Sequence, residues 1–244
     1  MASLEVVGLT KVFGGLKAVN ACSFTVSAGS ITGLIGPNGA GKTTAFNMIS
    51  GVIRPDSGTV HFDGKDITGS MPHKAARQGL GRTFQITREL EDLTVMENMV
   101  VPTTRGSLLD LMGARMYRHE HQKAMDLLEF VGISFLAEEK ARSLSFGQRK
   151  LLEFASVLMA EPKLLLLDEP AGGVNPALLE RLMERIQTLN GQGLTFLIVE
   201  HNMDVVMGLC DSIIVMAHGE VLLTGPPEII QSDDRVLDVY LGKT

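Results

Sequence analysis

The chain has 244 residues, a formal net charge of −6 and 26 glycines, which suits one large domain, or a domain with a subdomain, and argues against a nucleic-acid partner. Its two cysteines, Cys22 and Cys210, lack metal-ligand spacing and read as buried small side chains in a reducing compartment. Met1–Val7 shows neither the basic start nor the apolar core of a leader, and no run approaches the roughly 18 apolar residues of a membrane span, so the expected location is cytoplasmic, with any membrane role reached through a partner.

From the N-terminus, Leu4–Phe13, Ala21–Ser27 and Ser30–Ile35 read as short strands broken by Gly14-Gly15 and Gly29. Gly36-Pro37-Asn38-Gly39-Ala40-Gly41-Lys42-Thr43 follows. It matches G-x-x-x-x-G-K-[ST], in which glycines bring backbone N–H groups against phosphate oxygens. Lys42 reaches the terminal phosphates, and the Thr43 hydroxyl is placed for Mg²⁺. Thr43–Ser50 reads as the first turns of a helix, whose N-terminus adds partial positive charge. Arg54–Gly58 reads as a turn and Thr59–Lys65 as a strand and turn.

Gln85 follows a strand-like Gly81-Arg82-Thr83-Phe84; taken alone it is an ordinary loop residue. From about residue 87 to 144 the pattern turns helical: Leu93–Val101 and Leu108–Val131 have helical periodicity, with Leu127, Leu128 and Val131 on one face. His119 and His121, two apart, would point in different directions on a helix. Leu144-Ser145-Phe146-Gly147-Gln148 has the form of a capping box, with Ser145 as N-cap and Gln148 three residues on. The same helix start would also suit an anion, and local physics leaves both readings open.

Leu164-Leu165-Leu166-Leu167-Asp168-Glu169-Pro170 reads as a buried strand ending in two carboxylates. With a phosphate loop present, the first carboxylate can hold Mg²⁺ and the second can polarise an attacking water. Thr195–Val199 and Ser212–Met216 are further apolar runs, as in a parallel sheet covered on both faces. His201 follows the first of them and alone would be a loop residue. Gly225-Pro226-Pro227-Glu228 reads as a loop and helix start.

Taken in order, the phosphate loop, Gln85, Leu144–Gln148, Leu164–Glu169 and His201 resemble the ATP-binding subunits of ABC transporters across essentially the whole chain. Phe13-Gly14-Gly15-Leu16-Lys17-Ala18-Val19, Gly81–Gln85, Phe146, Ala171-Gly172-Gly173-Val174-Asn175-Pro176 and Val239-Tyr240-Leu241-Gly242 are similar to the LivG type, from branched-chain amino-acid uptake systems. Asn175 and Asn202 stand where many of these ATPases carry Asp, and Gly173 is an added glycine.

The resemblance implies an α/β phosphate-loop NTPase with a parallel-sheet core and an N-terminal antiparallel β subdomain. Core and β subdomain would span 1–86 and 146–244, and a helical subdomain about 87–145. It also implies ATP and Mg²⁺ as cofactors. Phe13, Gly36, Pro37, Asn38, Gly39, Ala40, Gly41, Lys42, Thr43 and Thr44 would bind the nucleotide, with Ser145 and Gly147 reaching the ATP held by a second ATPase subunit. Thr43, Gln85 and Asp168 would face the metal. Glu169 would be the catalytic carboxylate, His201 would contact the γ-phosphate, and Gln85 would sense a transmembrane permease. The partners implied are that second subunit, alike or related, the permease and, indirectly, a solute-binding protein, placing the chain on the cytoplasmic face of the membrane. Rival readings are another cargo (urea, short amides, a lipid component), an ABC ATPase outside transport, or a small-molecule kinase, which leaves Leu144–Gln148 and His201 unexplained.

Overall fold

The computed structural model describes residues 2–83, 90–100 and 118–241. Along the chain run β1 (Ala2–Phe13), β2 (Leu16–Ser27), β3 (Ile31–Ile35), α1 (Lys42–Ile49), β4 (Ser57–Phe62), β5 (Lys65–Asp66), α2 (Pro72–Arg77), β6 (Leu80–Arg82), α3 (Val95–Val100), α4 (Arg118–Val131) and α5 (Phe146–Leu158). Then come β7 (Leu164–Asp168), α6 (Pro176–Gly191), β8 (Thr195–Val199), α7 (Met203–Leu209), β9 (Ser212–Ala217), β10 (Glu220–Gly225), α8 (Pro227–Ser232) and α9 (Asp234–Leu241). They form two compact units, one of residues 1–82, 163–171 and 189–244, the other of residues 83–162 and 172–188.

The first unit holds two sheets. The smaller is antiparallel, in the order β2-β1-β4-β5. Its leading hairpin turns at Gly14-Gly15, both at positive φ (53° and 91°), which suits a tight turn between right-twisted strands. The larger sheet has the order β10-β9-β3-β8-β7-β6 and is parallel except for β10. β3, β7 and β8 are buried along their whole length, which is why their sequences are near-continuous apolar runs. Gly33 lets β3 lie close under α7: a Cβ there would stand 3.1 Å from Cys210 Sγ.

β10 and α9 lie outside the sequence reading. β10 is half exposed along most of its length, so it shows no unbroken apolar run. The expected helix start near Pro227 is present as α8.

In the second unit α3, α4 and α5 pack on one another. Met99, Ala124, Leu128, Val131, Leu151 and Leu152 are buried there, the helical spacing of an amphipathic face. Residues 101–117 lie outside the described residues, and with them the first part of the expected 108–131 helix and the last residue of the expected 93–101 helix. His119 and His121 are exposed. Among the described residues no helix is long and apolar enough to cross a membrane.

Candidate nucleotide and metal site

Three neighbouring parallel strands, β3, β8 and β7, end on the same edge of the larger sheet. β3 runs into the phosphate loop, β7 ends at Asp168 and Glu169, and β8 leads to Glu200 and His201. Carboxyl ends of parallel strands are where open α/β sheets form their clefts.

The loop is shaped by close approach. Gly36 has φ 148°, and a Cβ there would stand 2.1 Å from the Met216 carbonyl oxygen; Gly41 has φ 97°, and its Cβ would meet the Ala18 carbonyl at 2.4 Å. No side chain fits at either position without displacing backbone. Asn38, Gly39 and Thr43 are exposed along the loop, Pro37 and Thr44 are half-buried, and Ala40 is buried.

Lys42 opens α1 and is 5% exposed. Its Nζ donates to the carbonyls of Gly36 (2.7 Å) and Pro37 (3.0 Å). Burial holds this ammonium below its ordinary pKa, against the negative charges of Glu169 and Asp168, which favour the charged form. A buried cation on its own loop, next to a helix N-terminus, is an environment a polyphosphate completes.

Asp168 is 4% exposed, and its Oδ2 accepts from Arg82 Nη2 at 3.1 Å. Glu169 has φ 50°, a left-handed conformation uncommon outside glycine. Its N–H donates to the Val199 carbonyl at 2.9 Å, fixing the turn that presents the side chain. Glu169 Oε1 lies 2.8 Å from His201 Nε2.

Glu200 has no role that the sequence alone assigns. Its carboxylate is 3% exposed and accepts three backbone N–H groups: Ala171 at 2.6 Å, His201 at 2.8 Å and Asn202 at 3.1 Å. It thereby joins the turns after β7 and β8. The available signal was an acid closing a fully apolar strand. Asn202 caps α7, accepting from the N–H groups of Asp204 and Val205, a role in which Asn and Asp are near equivalents.

Phe13 ends β1 and is 46% exposed, so it is no core residue. Lys11 Nζ lies 5.6 Å from its ring centroid. Asp56 holds this strand end, accepting from Lys11 Nζ at 2.7 Å and from the Val12 N–H at 2.8 Å. The Lys11 hydrogen bond, above all, keeps the Asp56 carboxyl below its usual range.

The second unit carries Ser145 and Gly147. The expected capping box is present: Ser145 Oγ accepts the Gln148 N–H, and Gln148 Oε1 accepts the Ser145 N–H. A Cβ on Gly147 would stand 2.5 Å from Leu178 Cδ2. Gly173, at φ 69°, lies under the Phe146 ring, whose Cε1 would be 2.7 Å from a Cβ there. The added glycine therefore makes room for the aromatic of Leu144–Gln148. Asn175 Oδ1 accepts the Leu178 N–H at 2.9 Å at the start of α6. Gln85 lies outside the described residues.

For Mg²⁺, the donors that could serve in the first unit are the Thr43 hydroxyl and the Asp168 carboxylate. Among the described residues no group of three or more His, Cys, Asp or Glu could hold an ion. Hard oxygen donors too few for an all-protein cage suit a cation that arrives on phosphates.

The ABC transporter family profile matches residues 19–172. The "Probable branched-chain amino acid transport ATP-binding protein LivG" of Archaeoglobus fulgidus is 44% identical, over 99% of this chain and 96% of its own. The ADP conformation of an ATP-binding cassette of an ABC transporter superposes with TM-score 0.89 at 36% identity, covering 99% of both chains. A dimeric cassette in a post-hydrolysis state with ADP and phosphate superposes with TM-score 0.80 at 25% identity, over 92% of this chain and 98% of the other.

Proposed function

The chain belongs to the ABC transporter family as an ATP-binding subunit, and from that premise we propose that its ATP hydrolysis powers uptake of branched-chain amino acids. The single observation that carries the site is the shared edge at which β3, β8 and β7 deliver the phosphate loop, His201 and the Asp168–Glu169 pair. The cargo rests on the branched-chain amino acid transport function named for the Archaeoglobus relative, which matches over nearly its full length.

In this reading Phe13 stacks on adenine, and the loop from Gly36 to Thr44 wraps the phosphates. Lys42 turns its ammonium to the terminal phosphates as a point charge. Thr43, Asp168 and Gln85 would hold Mg²⁺, which when bound neutralises phosphate charge and orients the reacting group. Glu169 accepts a proton from the attacking water. His201 steadies that carboxylate and faces the γ-phosphate. Ser145 and Gly147 meet the ATP of a second subunit, so two sites close together when ATP is bound and open after hydrolysis, a ligand-driven population shift. The helical segment of about 87–145 and Gln85 would take that movement to membrane permeases, which receive cargo from a solute-binding protein at the opposite face.

The test is reconstitution of this subunit with its permeases in proteoliposomes, with a solute-binding protein loaded with leucine, isoleucine or valine. ATP hydrolysis and uptake should rise together. Stimulation by urea, short amides or a lipid component instead would replace the cargo and leave the ATPase reading standing.

A further inference from the structure

Arg82 closes β6 and has no part in the reading above. Its side chain is 8% exposed, and that of its partner Asp168 is 3% exposed. The two arms of the guanidinium do different things. Nη2 donates to Asp168 Oδ2 at 3.1 Å. Nη1 donates to Ser50 Oγ at 2.5 Å and to the Phe46 carbonyl at 3.4 Å. The same guanidinium stands 5.5 Å from the centroid of the Phe46 ring. Ser50 is the C-cap of α1, and its hydroxyl also donates to the Phe46 carbonyl at 2.8 Å.

Arg82 thus bridges the last turn of α1 and the carboxylate at the end of β7. α1 begins at Lys42 and Thr43, so its opposite end presents the phosphate-binding residues. A cation at the C-terminal end of a helix is favoured by the helix dipole. A planar fork can serve a carboxylate and a helix end at once, which a lysine ammonium cannot do in the same geometry.

We propose that Arg82 is a positioning residue for metal-bound nucleotide: it fixes the orientation of the Asp168 carboxylate and ties that orientation to α1. The inference rests on Asp168 being the metal-facing carboxylate. Two effects of opposite sign meet here. The guanidinium charge repels a divalent cation, while its hydrogen bond holds the carboxylate in place. Orientation prevails, because the partners that hold a ligating carboxylate commonly contribute about 10–100-fold in metal affinity.

The experiment is calorimetric titration of the full chain with the non-hydrolysable imido analogue of ATP, with Mg²⁺ and with EDTA, together with a melting curve for each variant. The readout is the ratio of the two dissociation constants, which a merely structural residue leaves unchanged. Arg82→Met should weaken binding of the magnesium complex about tenfold and leave binding in EDTA nearly unchanged. Arg82→Met added to Asp168→Asn should change the ratio no further. If Asp168→Asn loses the magnesium effect while Arg82→Met keeps it, the role given to Arg82 is overturned and the site stands. If Asp168→Asn also keeps it, the metal-facing reading of Asp168 fails, and this inference with it. Should Arg82→Met fail to fold, Arg82→Lys and Ser50→Ala decide by the same ratio: a reduced magnesium effect supports the role and a wild-type ratio overturns it.

Discussion

Glu169 Oε1 and His201 Nε2 stand 2.8 Å apart, joining the turn after β7 to the turn after β8. The carboxylate that would accept a proton is held by a side chain from the turn after the neighbouring strand, and its own backbone is held at φ 50°. Replacing Glu169 by Gln keeps the size and a hydrogen bond to His201 and removes the base. Hydrolysis should fall by about 10²–10⁴-fold with ATP affinity retained. Size-exclusion chromatography with ATP should then show a dimer; wild-type turnover would remove Glu169 from the mechanism.

Phe13 is half exposed at a strand end, so truncating it should cost little stability. Base–aromatic stacking is worth about 1–3 kcal/mol, and Phe13→Ala should raise the ATP dissociation constant about tenfold. Equilibrium titration beside a melting curve separates the two effects. A lower melting temperature with unchanged affinity would make Phe13 a structural residue.

Glu200 collects three backbone N–H groups from two turns. Glu200→Ala leaves those donors without their acceptor, at a cost of about 3 kcal/mol, visible as a lower urea midpoint. Turnover should fall as well, since Ala171 and His201 lose a common anchor. Glu200→Gln, with one acceptor oxygen, should lie between.

Gly147 and Gly173 should respond differently to substitution. At Gly173 an alanine meets both the positive φ of 69° and the Phe146 ring, and Gly173→Ala should cost about 1–3 kcal/mol. Phe146→Leu should relieve the ring's share of that cost, and a double-mutant cycle of urea midpoints measures the coupling. At Gly147 the first side-chain atom would press on Leu178 Cδ2, the end of a flexible side chain. Gly147→Asp should therefore fold and bind ATP near-normally but fail to form the ATP dimer, with very slow hydrolysis. A nucleotide titration beside a turnover assay tests this, and normal hydrolysis would refute the role given to Leu144–Gln148 at the second subunit's ATP.

Burial pushes the Cys22 and Cys210 thiols from 9.0 up to about 12, with the charges of Asp211 and Glu200 adding to the effect at Cys210. The native state therefore keeps protons that the unfolded chain releases above pH 9.0. The stability they contribute is fully present below that pH and is lost as pH rises towards about 12. The urea midpoint should decline above about pH 9 more steeply in the parent chain than in a Cys22→Ala/Cys210→Ala variant. At about pH 8 neither native thiol should react with a disulfide reagent until the protein unfolds.

The phosphate-loop motif was legible in the sequence because it is contiguous: its glycines, lysine and threonine all lie between Gly36 and Thr43. The buried strands were legible for a related reason, since burial on both faces leaves an unbroken apolar run. Glu200, Arg82 and Gly173 were not legible in this way. Each works on residues distant in sequence: Ala171 for Glu200, Ser50 and Asp168 for Arg82, Phe146 for Gly173. Such roles exist only once the turns and strands have been brought together. β10 was not legible because a half-exposed edge strand carries a mixed pattern.

The larger sheet is bounded on one side by β6, three residues long, and on the other by the antiparallel β10. β10 lies against β2 of the smaller sheet, and the Asn20 N–H donates to the Gly219 carbonyl at 2.9 Å in the turn leading into it. Among the described residues, neither border offers a long row of open peptide groups onto which a second chain could add a strand. Two copies then have no cheap way to associate through the edges of this sheet. In the proposed cycle, pairing would then be left to the nucleotide, so the subunit could come apart and come together once per round of hydrolysis instead of locking into a permanent assembly.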